Sequence, residues 1–280
     1  MIKTTQPNSI TPFLKNIKLP VSESHKGQNG KILIIGGSQL FHAASLWSAE
    51  VASHFADMVH YASTEENNKI FLSLKTKFRN GIIVHREHLQ SYLKEDDVIL
   101  MGPGLERTDE TRKLTEQILT QAQGKQLVID AGSLQMMTPE MLSSLQKPAI
   151  ITPHQQEFEH LFGISITNKT NEEKAKIVQE MAAKYHCIIL LKAITDFVSD
   201  GNEVMQIDGG NQGLTKGGTG DILAGLVAGF VTHSDAVSGC VCASYILKKT
   251  AETLFIDRGY WYNNSDILDT IPKVVNSIFL

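Results

Sequence analysis

The sequence predicts an α/β protein with a mostly parallel central sheet and helices on both of its faces. Three observations carry that expectation. Short runs of consecutive Ile, Val and Leu recur through the first two thirds of the chain, as strands buried on both faces require. Longer stretches with apolar residues at steps of three and four lie between them, the period of an amphipathic helix. The two kinds of segment alternate instead of clustering, the order that builds βαβ units.

In chain order, strands are expected at Lys31–Gly36, Met58–Ser63, Gly81–Val84, Asp97–Met101, Gln126–Asp130, Ala149–Thr152 and Cys187–Leu191. Helices are expected between them at Ala43–Ala56, Thr108–Gln123, Gln155–Phe162 and Asn171–Tyr185. In the first of these, Ala44, Trp47, Val51 and Phe55 fall on one face. After Leu191 the pattern changes. Phe197–Ser199 and Val204–Ile207 flank the turn signal Asp200–Gly201–Asn202, which predicts a β-hairpin. The remainder reads as helix over Gly217–Thr232, Asp235–Phe255 and Asn264–Ser277. With no internal repeat and no linker rich in Pro, Gly and Ser, residues 1–280 are expected to form one domain.

Composition narrows the function classes. Hydrophobic residues at 42% and charged residues at 20% exclude a disordered chain. With 26 Lys and Arg against 30 Asp and Glu, a net charge of -4 argues against nucleic acid as a partner. A small anionic ligand remains possible, because a local backbone site holds phosphate even on an acidic protein. Cys187, Cys240 and Cys242 are too few for a disulfide framework and lack zinc-ligand spacing, so buried thiols are expected. The N-terminus lacks the apolar core of a secretory signal. The longest apolar stretch, Ile222–Val231, is far short of the ~18–20 residues that span a bilayer. A cytoplasmic protein without membrane contact is the expectation.

Ligands of open α/β sheets bind beyond the carboxyl ends of the strands. Four predicted strand ends there carry Gly36–Gly37–Ser38, Gly102–Pro103–Gly104, Asp130–Ala131–Gly132 and Pro153–His154. Turn geometry alone favours glycine in such loops, so it is the set that points to a shared crevice. The densest signal is the run from Gly209 to Asp221, followed by an apolar helix. Gly217, Gly218 and Gly220 allow a tight turn that presents backbone N–H groups, and the helix adds its own free N–H groups and positive dipole end. Together they form an anion hole suited to a phosphoryl group in flight.

Asp221 stands at the mouth of that helix. A first-turn carboxylate stabilises a helix by about 0.5–2 kcal/mol, and the same residue could instead accept a proton from a substrate hydroxyl. Spacing leaves both readings open, and the cost of an acid that only repels the ligand favours the second. The run is not a Walker A motif, nor is it a dinucleotide fingerprint, since it follows a hairpin. His154, Glu157 and His160 partly share a helix face and invite a metal reading, but no further ligand is evident and the metal ligands stay unassigned.

The GGTGD run opening an apolar helix resembles the anion-hole motif of the ribokinase-like superfamily. More narrowly, GNQGLTKGGTGDILAG resembles the C-terminal signature of the ADP- or ATP-dependent NAD(P)H-hydrate dehydratases. HKGQNGKILIIGGS, MGPGLE, DAG and TPHQQEFEHLFG are similar to that family in the same order, from about His25 to Gly229. The resemblance implies a ribokinase-like three-layer sandwich and a carbon–oxygen lyase that returns NADH-hydrate or NADPH-hydrate to NAD(P)H. It further implies ADP or ATP as co-substrate, Mg2+, and a homo-oligomer. In that scheme the ring hydroxyl is phosphorylated and phosphate then leaves.

Transferred to matching positions, the resemblance makes Asp221 the base and gives the N–H groups of Gly218, Thr219 and Gly220 the transferring group. The hydrate falls on Ala44, Gly104, His154 and Asp221. The nucleotide falls on Lys192, Ala193, Ile194, Thr195 and Asp196, with Gly220. Two places depart from the family pattern. Ala43 stands where Gly is usual, and Lys192–Ala193–Ile194–Thr195–Asp196 replaces a Lys-Gly with Thr three residues on. A methyl at Ala193 could crowd a backbone approach, and an inward carboxylate at Asp196 could repel phosphate. The epimerase domain fused to many family members is not expected here. The alternatives are a small-molecule kinase of the same superfamily acting on a vitamin-precursor alcohol, or a homologue that binds nucleotide without turnover.

Overall fold

The computed structural model describes residues 1–279. Among these, ten strands join one sheet in the order β1-β10-β9-β8-β7-β6-β5-β2-β3-β4. They are β1 (Ile2–Lys3), β2 (Lys31–Ile35), β3 (Met58–Ala62), β4 (Ile82–Ile83), β5 (Val98–Met101), β6 (Gln126–Ile129), β7 (Ile150–Ile151), β8 (Ile188–Leu191), β9 (Asp196–Ser199) and β10 (Val204–Asp208). The strands from β2 to β8 pair in parallel, and β9 runs antiparallel to both β8 and β10. The expected hairpin is therefore present.

The helices are α1 (Thr11–Leu14), α2 (Ala43–Ala52), α3 (Glu65–Ser73), α4 (Leu89–Glu95), α5 (Asp109–Gln121), α6 (Ala131–Met136), α7 (Glu140–Ser143), α8 (Gln155–Phe162), α9 (Asn171–Tyr185), α10 (Thr219–Val231), α11 (Ala236–Arg258) and α12 (Asn264–Phe279). The pleat sends alternate residues of each strand into two cores. Ile32, Ile34, Val98 and Leu100 face α2, α10, α11 and α12, whereas Leu33, Ile35, Ile99 and Met101 face α5, α6, α8 and α9. Both faces are covered, which is why runs such as KILII are apolar at consecutive positions.

Two contacts set how closely α10 packs on α2. α10 lies against α2 because Gly225 and Gly229 present no side chain: a Cβ on Gly225 would overlap Val51, and one on Gly229 would stand 2.9 Å from Cβ of Phe55. The apolar stripe expected on the first helix, Trp47–Val51–Phe55, thus packs on a glycine stripe. α2 ends at Ala52, shorter than the pattern predicts, and Phe55 packs from the turn that follows.

The sequence pattern misses several elements. α3 is largely polar, and its start is set by Thr64, whose side chain accepts from the N–H of Asn67. β1 is two residues long and pairs with Ile207 and Asp208, far along the chain from it. The three thiols are buried, and burial pushes those of Cys187 and Cys242 up to about 12, which makes them unreactive. Among the described residues no helix is long and apolar enough to cross a membrane.

Candidate active site

The start of α10 is fixed by its N-cap, Gly218, at φ 101. The space a Cβ would need there is filled by the Trp47 ring and the Asn264 amide, so the position admits only glycine. Asn264 Nδ2 donates to the Gly217 carbonyl at 2.8 Å. The Thr219 hydroxyl donates back to the carbonyls of Leu214 (2.7 Å) and Lys216 (3.0 Å), closing the loop under the helix. The N–H of Thr219 makes a long 3.4 Å contact with the Lys216 carbonyl. Those of Gly218 and Gly220 have no acceptor among the described residues. They are the unspent donors of the predicted anion hole, at the positive end of a 13-residue helix.

Asp221 lies one step further into the helix. Burial, with the negative charge of Asp130 next and Glu157 adding to it, pushes its carboxyl up to about 7 against the pull of Lys192. Lys192, at the end of β8, is the cation of the site. Its Nζ is 2.8 Å from Asp130 Oδ1 and 3.8 Å from Glu157 Oε2. It also lies 3.3 Å from where a Cβ on Gly220 would stand. Burial pulls its pKa down, but Asp130 and Glu157 outweigh that and hold it above the ordinary lysine value, so it stays charged.

His154 is the N-cap of α8. Its Nδ1 accepts from the N–H groups of Gln156 (3.1 Å) and Glu157 (3.2 Å), bonds that assign the ring proton to Nε2. Glu157 completes a capping box by accepting from the His154 N–H at 2.9 Å, and its other oxygen accepts from Gln135 Nε2 at 2.8 Å. His160 Nε2 lies 3.0 Å from the Gln135 carbonyl. These bonds replace the metal reading of His154, Glu157 and His160 with a capping role. Among the described residues no three His, Cys, Asp or Glu are grouped to hold a metal ion. Lys192 already pairs with Asp130 and neighbours Glu157, so a Mg2+ ion would have to be held by groups other than these two carboxylates.

Ala44 and Gly104 meet across the crevice. A Cβ on Gly104, at φ +75, would stand 3.1 Å from both Ala44 Cβ and Gly37 Cα. One turn after Ala44, the Ser48 hydroxyl donates to the Asp221 carbonyl at 2.8 Å and ties α2 to α10. A cavity of about 660 Å³, lined among others by Gly37, Ser38, Leu105 and Lys113, opens beside this approach.

In the 192–196 segment the side chains diverge. Ile194 is 91% exposed, whereas Thr195 and Asp196 are buried. The Asp196 carboxylate accepts from the Ala193 N–H (2.9 Å) and the Ser244 hydroxyl (2.7 Å), with Lys248 Nζ at 3.5 Å. Lys248 also donates to the Ile194 carbonyl at 2.8 Å. Asp196 was expected among the nucleotide contacts. Its side chain is buried and held by these partners, where it braces the segment. From the sequence, Asp130 is named only as part of a strand-end rim and Glu157 only as a candidate metal ligand, and neither is assigned a role beside Lys192. Their signals were a carboxylate at a strand end and the His-x-x-Glu spacing of a capping box.

Free helix amides and a buried acid thus lie beyond the strand ends of a parallel sheet, and the fold superposes with a TM-score of 0.85 on a ribokinase-like superfamily protein of Enterococcus faecalis, at 25% identity over 96% of this chain. Residues 32–273 match the family model described as NAD(P)H-hydrate dehydratase, and the chain belongs to that family. A bifunctional NAD(P)H-hydrate repair enzyme of Methanocaldococcus jannaschii is 31% identical over 94% of this chain and 51% of its own length. The chain thus spans about half the length of the first curated relatives it matches. An ADP-dependent (S)-NAD(P)H-hydrate dehydratase of Nitrosopumilus maritimus is 28% identical over 98% of this chain and 96% of its own. In fold, the chain superposes with a TM-score of 0.84 on the ADP/ATP-dependent NAD(P)H-hydrate dehydratase of Bacillus subtilis co-crystallised with ATP/Mg2+, at 22% identity and 99% coverage of both chains.

Proposed function

We propose that this protein dehydrates NADH-hydrate or NADPH-hydrate, using one phosphoryl group of ADP or ATP, and so restores the reduced nicotinamide. The observation that carries this reading is the convergence of Asp221 with two unspent amides and the Lys192 ammonium. Asp221 takes the proton of the ring hydroxyl as its oxygen attacks the terminal phosphorus. The N–H groups of Gly218 and Gly220, with Lys192, meet the charge that grows on the phosphoryl oxygens. Thr219 contributes less, since its N–H is turned towards Lys216. The new phosphate ester is a far better leaving group than hydroxide. Its C–O bond breaks, a proton leaves the neighbouring ring carbon, and the double bond re-forms.

His154, protonated on Nε2, serves the hydrate as a donor and not as a base. Ala44 and Gly104 leave a low wall against which the hydrated ring can lie. The Lys192–Thr195 backbone and Gly220 take the nucleotide, and Mg2+ bound to its phosphates spreads their negative charge. The names of the Nitrosopumilus and Bacillus relatives support the choice of an adenine nucleotide. The same reading puts the protein in the cytoplasm as a homo-oligomer.

The test is to incubate the protein with NADH-hydrate, Mg2+ and either ADP or ATP while following absorbance of the reduced nicotinamide. Recovery that requires nucleotide and releases one phosphate per turnover is expected. Accumulation of a stable phosphorylated product, or nucleotide binding with no recovery, would overturn the proposal.

A further inference from the structure

Local structure does not account for the placement of Asp130. It is the N-cap of α6, where an Asp side chain ordinarily accepts from the N–H groups of its own helix, yet it makes no such bond. The next residue, Ala131, is held at φ 44, a left-handed conformation that is costly for alanine. Asp130 is also only 1% exposed. The chain therefore forgoes a cap, bears strain and buries a carboxylate at one point, the pattern of a site kept for function. What these yield together is one contact, Asp130 Oδ1 to Lys192 Nζ at 2.8 Å.

Lys192 in turn leans on Gly220, where the absence of a side chain admits its ammonium. An ammonium carries three N–H donors. Asp130 takes one, and Glu157 at 3.8 Å is beyond hydrogen-bond reach, which leaves donors beside the amides of α10. Resting on the function proposed above, we infer that Asp130 is a positioning residue of the reaction. It fixes the Lys192 ammonium beside Gly220 as a donor to the phosphoryl group in flight and keeps it from pairing with Asp221, which stays available as the base. The charged groups facing Asp221 are Asp130 from the end of β6, Glu157 from α8 and Lys192 from the end of β8; α2 presents the neutral Ser48.

The experiment is turnover of NADH-hydrate with Mg2+ and nucleotide by wild type, Asp130→Asn and Asp130→Glu, each profiled against pH. In Asp130→Asn, kcat falls by at least ~30-fold, because the donor is no longer aimed. The low-pH limb of kcat moves down by at least ~0.5 pH unit, because Asp221 loses a like charge and gains a freer cation. KM for the hydrate stays within about threefold, which a general loss of structure would not allow. Asp130→Glu keeps the charge, so its limb stays where the wild-type limb lies, and its kcat exceeds that of Asp130→Asn. A smaller fall, or a limb that does not move in Asp130→Asn, overturns the inference. If Asp130→Asn does not fold, Asp130→Glu decides alone: an unmoved limb with kcat reduced by at least ~3-fold supports the inference, and wild-type kcat overturns it. A wild-type protein that restores no NADH would sink the proposed function itself, whereas a working wild type with undisturbed variants sinks only this inference.

Discussion

The Ser244 hydroxyl of α11 donates to the Asp196 carboxylate at 2.7 Å, between two residues that are both buried. This bond anchors the segment between β8 and β9 to a helix on one face of the sheet, with Lys248 as the second tie. Asp196→Ala removes the acceptor for Ser244 and for the Ala193 N–H, and leaves the Lys248 ammonium buried without its acid. A loss of about 2–4 kcal/mol is expected in urea unfolding, with nucleotide affinity weakened as the segment loosens. A loss under about 1 kcal/mol would mean that the brace is not structural.

Neighbouring glycines at the start of α10 differ sharply. Gly218 has φ 101 and no room for a Cβ, whereas nothing lies within 4 Å of a Cβ on Gly217. Gly218→Ala is expected to cost about 3 kcal/mol or more and to shift the fluorescence of Trp47, whose ring it displaces. Gly217→Ala should stay within ~1 kcal/mol of wild type. Equal costs for the two would contradict the assigned geometry.

Stability should depend on pH through Asp221. Its carboxyl titrates at about 7 in the folded protein, against ~3.9 when unfolded. Between those values the native state holds a proton that the unfolded chain has lost, so this contribution falls as pH rises through the window and is gone above it. Asp221→Asn cannot ionise. Unfolded by urea at pH 8, that variant is expected to be more stable than wild type by roughly 2–4 kcal/mol, with the gap narrowing at lower pH. A variant no more stable than wild type at pH 8 would show that the acid is not strained in its pocket.

The sheet was legible because its strands are covered on both faces and betray themselves by consecutive apolar residues. The tight turn that opens α10 was legible because its glycines cluster in sequence. β1 was not, since its pairing with Ile207 and Asp208 is invisible to any local window. Nor was the Asp130–Lys192 pair. The two residues end different strands, and only the order β6-β7-β8 brings them together. The direction of Asp196 was equally hidden, because its partners Ser244 and Lys248 lie on a helix that follows in the chain.

Asp221→Asn turnover with saturating nucleotide and Mg2+ probes the account at its centre. A fall in kcat of at least ~10³-fold, with nucleotide affinity within several-fold of wild type, is the predicted result. Turnover close to wild type would remove the carboxylate from the chemistry and with it the proposed mechanism.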